Sequence, residues 1–207
     1  MIKSAYENYV LPKLLDTCCS TKPIKYQREK IIPNASGKVL EIGIGSGLNI
    51  PFYNISKIDK IYGLDPSIQL CKKAIKKAKE INMNIDFLFE GAEEIKLKSN
   101  SIDTVLITYT LCSIPNPMDA LKEIKRVMRS DGNILFCEHG IAPDIKVSKW
   151  QNRINPIWGK LFGGCNINRD IPSIISNSGF KVQNLEQMYL PSTPKIVGYN
   201  YWGSASI

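Results

Sequence analysis

The stretch Val39-Leu-Glu-Ile-Gly-Ile-Gly-Ser-Gly47 decides how this chain is read. An apolar run, Lys38-Val-Leu-Glu-Ile42, passes straight into three glycines, Gly43, Gly45 and Gly47. Val and Ile flanked by glycine read as a buried strand entering a tight turn. Glycine lets the backbone turn sharply and approach a ligand. A dinucleotide fingerprint, G-x-G-x-x-G, needs its third glycine at position 48, where Leu48 stands. The pattern is instead E-x-G-x-G-x-G, from Glu41 to Gly47. Asp65 closes a second apolar run, Lys60–Leu64. A carboxylate about 20 residues beyond the start of such a turn accepts hydrogen bonds from both hydroxyls of a ribose. Turn and carboxylate together point to a nucleoside-bearing cofactor other than a nicotinamide dinucleotide.

Outward from this stretch, strands and helices alternate. Residues 4–32 read as one or two helices broken near Thr21–Pro23. Ser67–Ile81 carries Ile68, Cys71, Ile75 and Ala78 at helical spacing. Strands are expected at Asn84–Glu90 and Ser101–Thr108, and a helix over Pro117–Arg129. Asp131-Gly132 makes a turn into a fifth strand, Asn133–Glu138. Asp144 caps a helix through Trp150 and beyond, and Asp170 caps a short one with Pro172 in its first turn. Two strands, near Phe180–Gln187 and Lys195–Trp202, finish the chain. This alternation predicts an α/β fold with a mostly parallel sheet covered on both faces. The whole of 1–207 is expected to be one domain. Residues 1–32 form a helical lid over the cofactor mouth, 33–140 the cofactor core, and 141–207 the acceptor side.

Of the 207 residues, 43% are hydrophobic and 22% charged, which fits a soluble globular protein. No apolar run approaches the roughly 20 residues of a membrane span, and no secretory signal is visible. The six cysteines form no CxxC pair, so neither a zinc site nor a disulfide framework is expected. They read as reduced thiols of a cytoplasmic protein. The net charge of +8 owes much to Lys72, Lys73, Lys76, Lys77 and Lys79, which read as the wet face of a helix. A basic balance also suits weak peripheral contact with an anionic membrane.

The motif set resembles class I S-adenosylmethionine-dependent methyltransferases. Val39–Gly47 is similar to their first motif and Gly63-Leu-Asp-Pro-Ser67 to their second. Gly91-Ala-Glu-Glu-Ile95 falls where they contact adenine, and Asp103-Thr-Val-Leu106 on their fourth strand. Glu123–Gly132 resembles their following helix and turn. The resemblance implies a Rossmann-like, seven-stranded sheet of order 3-2-1-4-5-7-6 with the last strand antiparallel. It implies S-adenosyl-L-methionine as cofactor, held by Glu41, Gly43, Gly45, Ser46, Gly47, Asn49, Asp65, Pro66, Ser67, Ala92, Glu93, Thr108 and Tyr109. Many members carry an aspartate where Gly91 stands, so Ala92 and Glu93 are expected to supply the adenine wall. Backbone groups of Gly43–Gly47 and Thr108–Thr110 are expected to hold the methionine end.

A narrower resemblance, to the group that includes the animal alkyl-thiol methyltransferases, lies in the second half. Thr110-Leu-Cys-Ser-Ile114, Cys137-Glu-His-Gly140, Asn155-Pro-Ile-Trp158, Gly163-Gly-Cys165 and Asn168-Arg-Asp170 carry it. Met188-Tyr-Leu-Pro191 and Asn200-Tyr-Trp-Gly203 resemble the group's bacterial relatives. The animal members begin with an apolar membrane anchor. This chain starts almost directly at the domain, and membrane residence is not expected to carry over.

His139, the only histidine, stands at the end of the fifth strand, where ligands of open α/β sheets bind. It is the candidate catalytic base, with a purely pocket-shaping role as the alternative. Trp150, Trp158, Phe162, Tyr109 and Cys165 are candidates for the wall of an apolar acceptor pocket. The expected acceptor is a small molecule, an apolar thiol foremost. Two alternatives stay open: N-methylation of a phospholipid amine at a membrane surface, and cofactor binding without catalysis. No motif suited to nucleic acid follows the fourth strand, where Tyr109-Thr-Leu-Cys112 stands.

Overall fold

Period-two burial along the strands separates two helical layers. The computed structural model describes residue 6 and residues 10–207, so part of the first expected helix lies outside the described residues. The chain runs α1 (Leu11–Cys19), α2 (Lys22–Ile31), β1 (Gly37–Ile42), β2 (Ile58–Leu64), α3 (Ile68–Glu80), β3 (Ile85–Leu88), β4 (Ile102–Thr108) and α4 (Pro117–Val127). It continues through β5 (Met128–His139), α5 (Ile145–Leu161), α6 (Ile171–Asn177), β6 (Lys181–Tyr189), α7 (Lys195–Gly198) and β7 (Tyr199–Ser206). Leu40, Ile42, Val105, Ile107 and Phe136 face one layer, with Leu121 and Ile124 of α4 and Ile171 and Ile175 of α6. Val39, Ile61, Leu106 and Leu135 face the other, with Ile31 of α2 and Cys71, Ala74 and Ala78 of α3. Alternation puts Glu41 on the α2 side, the same side as Val39.

The sheet order is β3-β2-β1-β4-β5-β7-β6, as expected. β7 runs antiparallel to both β5 and β6, and the other neighbours are parallel. The order reverses at β1, between β2 and β4, so the carboxyl ends of these strands frame a crevice.

Four local readings need correction. The last strand begins at Tyr199, not Lys195, because Lys195–Gly198 closes a helical turn behind Pro194 in which the Val197 N–H reaches the Pro194 carbonyl (3.0 Å). β5 already begins at Met128. Met128 pairs with Ile102 and Asn133 with Thr104, so Asp131-Gly132 lies in a bulge rather than a free turn. Ile68 is 55% exposed, and the buried stripe of α3 is the small set Cys71, Ala74 and Ala78. Asp144 stands before α5 but makes no cap hydrogen bond to its backbone, because its carboxylate accepts from the Tyr189 hydroxyl. Asp170 does cap α6, accepting from the Ser173 N–H (3.2 Å).

The small stripe on α3 has a cause. No α-helix joins β1 to β2; two 3-10 turns, Ile50–Phe52 and Ile55–Lys57, make the connection. The glycine turn therefore packs directly on α3. A Cβ on Gly47 (φ +72°) would lie 2.6 Å from Ile50 Cδ1 and 2.9 Å from Ala74 Cα. Lys72, Lys73, Lys76 and Lys79 point outward from the same helix, as a solvated face.

The two N-terminal helices differ. α1 buries no residue, whereas α2 buries Gln27, Arg28 and Ile31. Asp16 of α1 reaches the glycine turn, accepting from Ser46 Oγ (2.5 Å) and pairing with Lys73 (2.8 Å). Among the described residues no helix is long and apolar enough to cross a membrane. Gly47→Ala should lower the unfolding free energy by about 1–3 kcal/mol, the cost of a side chain in the left-handed region. Urea denaturation measures it, and an unchanged midpoint would contradict the close packing of the turn on α3.

Candidate active site

The crevice is built around a buried carboxylate. Glu41, at the end of β1, is 1% exposed. Its Oε1 accepts from Asn49 Nδ2 (2.8 Å) and its Oε2 from the Tyr53 hydroxyl (2.5 Å). Burial raises its pKa; the Tyr53 hydrogen bond, the Arg28 charge and Asn49 work against the rise. Arg28 Nη1 donates to Asn49 Oδ1 and to Thr108 Oγ1 (3.0 Å), and Asn49 Nδ2 also reaches Thr108 Oγ1 (2.9 Å). Arg28 is 5% exposed, and its Nε–H has no partner among the described residues. A buried donor without a partner is costly, and this one belongs to a residue that lines the cleft.

Glycines keep the cleft open. Gly43, Gly45 and Gly47 all have φ between +51° and +72°. A Cβ on Gly43 would lie 2.3 Å from Thr110 Oγ1. Glu41, Gly43, Gly45, Ser46, Asp65, Thr108 and Tyr109 line one part of the cleft, about 170 Å³. Asp65, Pro66, Ser67, Ala92 and Glu93 line the adjoining part, about 370 Å³, where Ala92 and Glu93 stand as the expected wall. Gly47 and Asn49 line neither part; the first packs on α3, and the second bridges Glu41 to Thr108.

Asp65 accepts from the Gly45 N–H (3.0 Å) and the Ser67 N–H (2.8 Å), one bond to each oxygen. Burial raises its pKa against these two bonds. Each carboxylate oxygen keeps an acceptor site for a ribose hydroxyl. Several backbone N–H groups of the segments expected to hold the methionine end are bonded inside the protein, while their carbonyls stay part of that expectation. Gly43 and Ile44 donate to the Leu64 carbonyl, Tyr109 to the Cys137 carbonyl and Thr110 to Glu138 Oε1. These bonds stiffen the turn. Arg28 and Glu41 are left as the charged groups for an amino-acid end.

Tyr109 divides this cleft from a third cavity of about 360 Å³. Its φ of +53° is a strained value for a non-glycine residue, of the kind that recurs at functional sites. The ring lies 5.1 Å from the Arg28 guanidinium, and the hydroxyl donates to Asn200 Oδ1 (2.8 Å). The cavity wall includes Trp158 and Phe162, stacked with centroids 3.9 Å apart, and Leu190, Pro194 and Val197. Trp150 is not in it. That ring is 57% exposed on the outer side of α5, because helical spacing turns Trp158 inward and Trp150 out.

His139 lies on the inner wall, half-buried, with Nε2 3.2 Å from Cys165 Sγ. Cys165 Sγ is 3.8 Å from Cys112 Sγ. The Cys112 thiol is held well below its ordinary value by the hydrogen bond from Cys165 and, next, by the His139 charge; burial opposes both. Burial lowers the His139 pKa, but Cys112 and Glu138 outweigh it and raise it. Glu138 fixes the turn that carries Cys112, accepting from the N–H groups of Thr110 (2.6 Å), Leu111 (3.0 Å) and Cys112 (3.3 Å). Arg28, Cys112 and Ser113, which lines all three spaces, are missed by the sequence reading. Each sits in a segment whose partners are distant in the chain, so no local spacing marks them.

The set fits S-adenosylmethionine: a ribose acceptor in Asp65, a buried guanidinium with a spare donor, a buried carboxylate, and a turn closed to side chains. Asp65→Ala should weaken S-adenosylhomocysteine binding by about 1.5–3 kcal/mol, the scale of hydrogen bonds to a charged group. Calorimetry measures this, with a melting curve as control for the turn. Unchanged affinity would reject the ribose assignment.

A family described as "Methyltransferase domain" matches residues 40–136. Thiol S-methyltransferase TMT1B of Homo sapiens is 30% identical over 191 residues, 86% of this chain and 77% of its own length. Thiol S-methyltransferase TMT1A of Homo sapiens is 29% identical over 179 residues, 84% and 72% of the two chains. A SAM dependent methyltransferase from Aquifex aeolicus shares the fold with a TM-score of 0.66 at 19% identity, over 95% of this chain and 98% of its own. On this footing the chain belongs to the class I methyltransferases, enzymes that use S-adenosylmethionine as methyl donor.

Proposed function

We propose that this enzyme methylates the sulfur of a small apolar thiol. The observation that carries the reading is the third cavity. Apolar side chains wall most of it, and it meets the cofactor cleft at Leu15, Cys19, Tyr109 and Ser113, which line both. The names of the two human relatives support the acceptor class. Bound S-adenosylmethionine supplies a methyl carbon already activated by the sulfonium charge. The protein's own task is alignment, exclusion of water and removal of the acceptor's proton. Trp158, Phe162 and Tyr109 supply the walls. Gln151, fully buried, holds the acceptor side together by accepting from the Ala142 N–H and donating to the carbonyls of Gly140, Ile167 and Ile196. His139 assists loss of the thiol proton.

A thiol of pKa about 8.5 is already a few per cent thiolate at neutral pH, whereas an alkyl ammonium near 10 needs a stronger base. The cavity offers His139 and cysteines, and among the described residues no carboxylate lines it. This favours thiols over amines.

One surface supports the membrane contact as well. Ile145, Trp150, Ile157 and Leu161 of α5 are exposed beside Lys146, Lys149, Arg153 and Lys160. Apolar and basic groups on one helix suit weak attachment to an anionic bilayer. We place the enzyme in the cytoplasm, a reading supported by six cysteines that are all free thiols.

Methyl release with simple alkyl thiols, alkyl amines and phosphatidylethanolamine vesicles tests the acceptor. Turnover on thiols is expected; turnover on the phospholipid amine alone would overturn the reading. His139→Ala should slow the reaction most below the acceptor's own pKa, about 8.5, since preformed thiolate needs no help. A pH–rate profile lowered equally at every pH would limit His139 to shaping the pocket.

A further inference from the structure

Three distant segments meet at the inner end of the acceptor cavity. Cys112 comes from the turn after β4, His139 from the end of β5, and Cys165 from the loop after α5. Their ligand atoms all lie within 4.8 Å of one another. We propose that Cys112, His139 and Cys165 bind one zinc ion, with the fourth coordination position open to the cavity.

The geometry matches the ion. Two thiolates about 2.3 Å from a tetrahedral zinc stand about 3.8 Å apart, and a thiolate and an imidazole about 3.5 Å apart. The two sulfurs here are 3.8 Å apart, and Cys165 Sγ is 3.2 Å from His139 Nε2. The frame is held independently of the three side chains. The Cys112 carbonyl accepts from both the backbone N–H (2.9 Å) and Nδ2 (3.1 Å) of Asn166, which ties the two cysteine segments together. His139 is fixed by strand pairing with Asn200. Two thiolates and an imidazole are a soft donor set that favours zinc over magnesium or calcium. Two thiolates also neutralise a divalent charge, so the buried site carries no net charge.

Three protein ligands with one position open is the arrangement of a catalytic zinc rather than a closed structural one. All three ligands line the acceptor cavity, so the open position is reached from it. The next step rests on the thiol reading. An acceptor thiol takes the fourth position: its S–H bond breaks, a sulfur–zinc bond forms, and the proton leaves to solvent. A coordinated thiol is deprotonated outright, which keeps the nucleophile available below its free pKa. His139 then assists proton loss as a ligand.

The test uses the full chain, reduced and stripped with a chelator, then titrated with cobalt(II) as a spectroscopic stand-in for zinc. One equivalent should bind with tetrahedral visible bands and a sulfur-to-cobalt charge-transfer band, and zinc should displace it. Cys165→Ser should reduce the charge-transfer intensity and weaken uptake by more than the roughly 10–100-fold that follows loss of an outer-shell partner. Cys71→Ser, buried against the glycine turn, should leave uptake unchanged. S-adenosylhomocysteine binding by each variant reports that it is folded. Absence of stoichiometric uptake, or uptake indifferent to Cys165→Ser in a folded variant, would overturn the site. A small alkyl thiol should then shift the cobalt bands. Bound cobalt whose bands ignore thiols would overturn acceptor coordination, and thiol turnover by metal-free protein would overturn the zinc role while sparing the thiol reading.

Discussion

A carboxylate sealed into the end of a parallel sheet is the constraint on which this structure turns. Glu41 cannot reach bulk water, so its charge must be met by donors from nearby. Asn49 and Tyr53 meet it directly, and Arg28 meets it through Asn49. Satisfying it therefore draws the segment after the glycines back across β1 and pulls α2 against the sheet. The turn left between is narrow, and an added Cβ would clash at Gly43 and at Gly47. Removing one partner of such a network leaves a buried charge uncompensated, a far larger cost than the net value of the pair.

The same network places the chemistry. Arg28 is packed from one side by Tyr109, whose strained backbone turns its ring into the partition between cofactor cleft and acceptor cavity. Glu138, on β5 two strands from β1, repeats the device. A second buried carboxylate gathers three backbone N–H groups and so fixes the turn bearing Cys112 and Ser113. Two charged groups that serve no apolar core thus set the relative position of donor and acceptor sites. α1, with no buried residue, meets the glycine turn and α3 through Asp16.

The cofactor half was legible because its signals are local. Gly43, Gly45, Gly47 and Asp65 lie on two successive strand ends, and their spacing alone marks the turn and the carboxylate bonded to it. Strand order followed from the motif set, and the antiparallel β7 with it. The acceptor half was not legible in the same way. Cys112 and Cys165 stand 53 residues apart and meet only through the fold. Without a CxxC pair, local spacing argued against the cluster that the fold assembles. Arg28 reads in sequence as one more basic residue of an amphipathic helix, since its partner Thr108 is 80 residues away. Trp150 and Trp158 look equivalent until the helical phase of α5 is known. Helical spacing groups Ile68 with Cys71 and Ala78, whereas close approach of the turn selects the small buried set Cys71, Ala74 and Ala78.

Arg28, which meets the Glu41 charge through Asn49 and lines the cleft, is placed to bind the amino-acid end of the cofactor as well. Calorimetry with two ligands tests this: S-adenosylhomocysteine, and 5′-methylthioadenosine, which keeps the nucleoside and lacks the amino-acid end. Wild-type protein should prefer the first, and Arg28→Leu should shrink that preference by about 1.5–3 kcal/mol, the scale of a charge-assisted hydrogen bond. A preference equally large in folded Arg28→Leu protein would contradict the account.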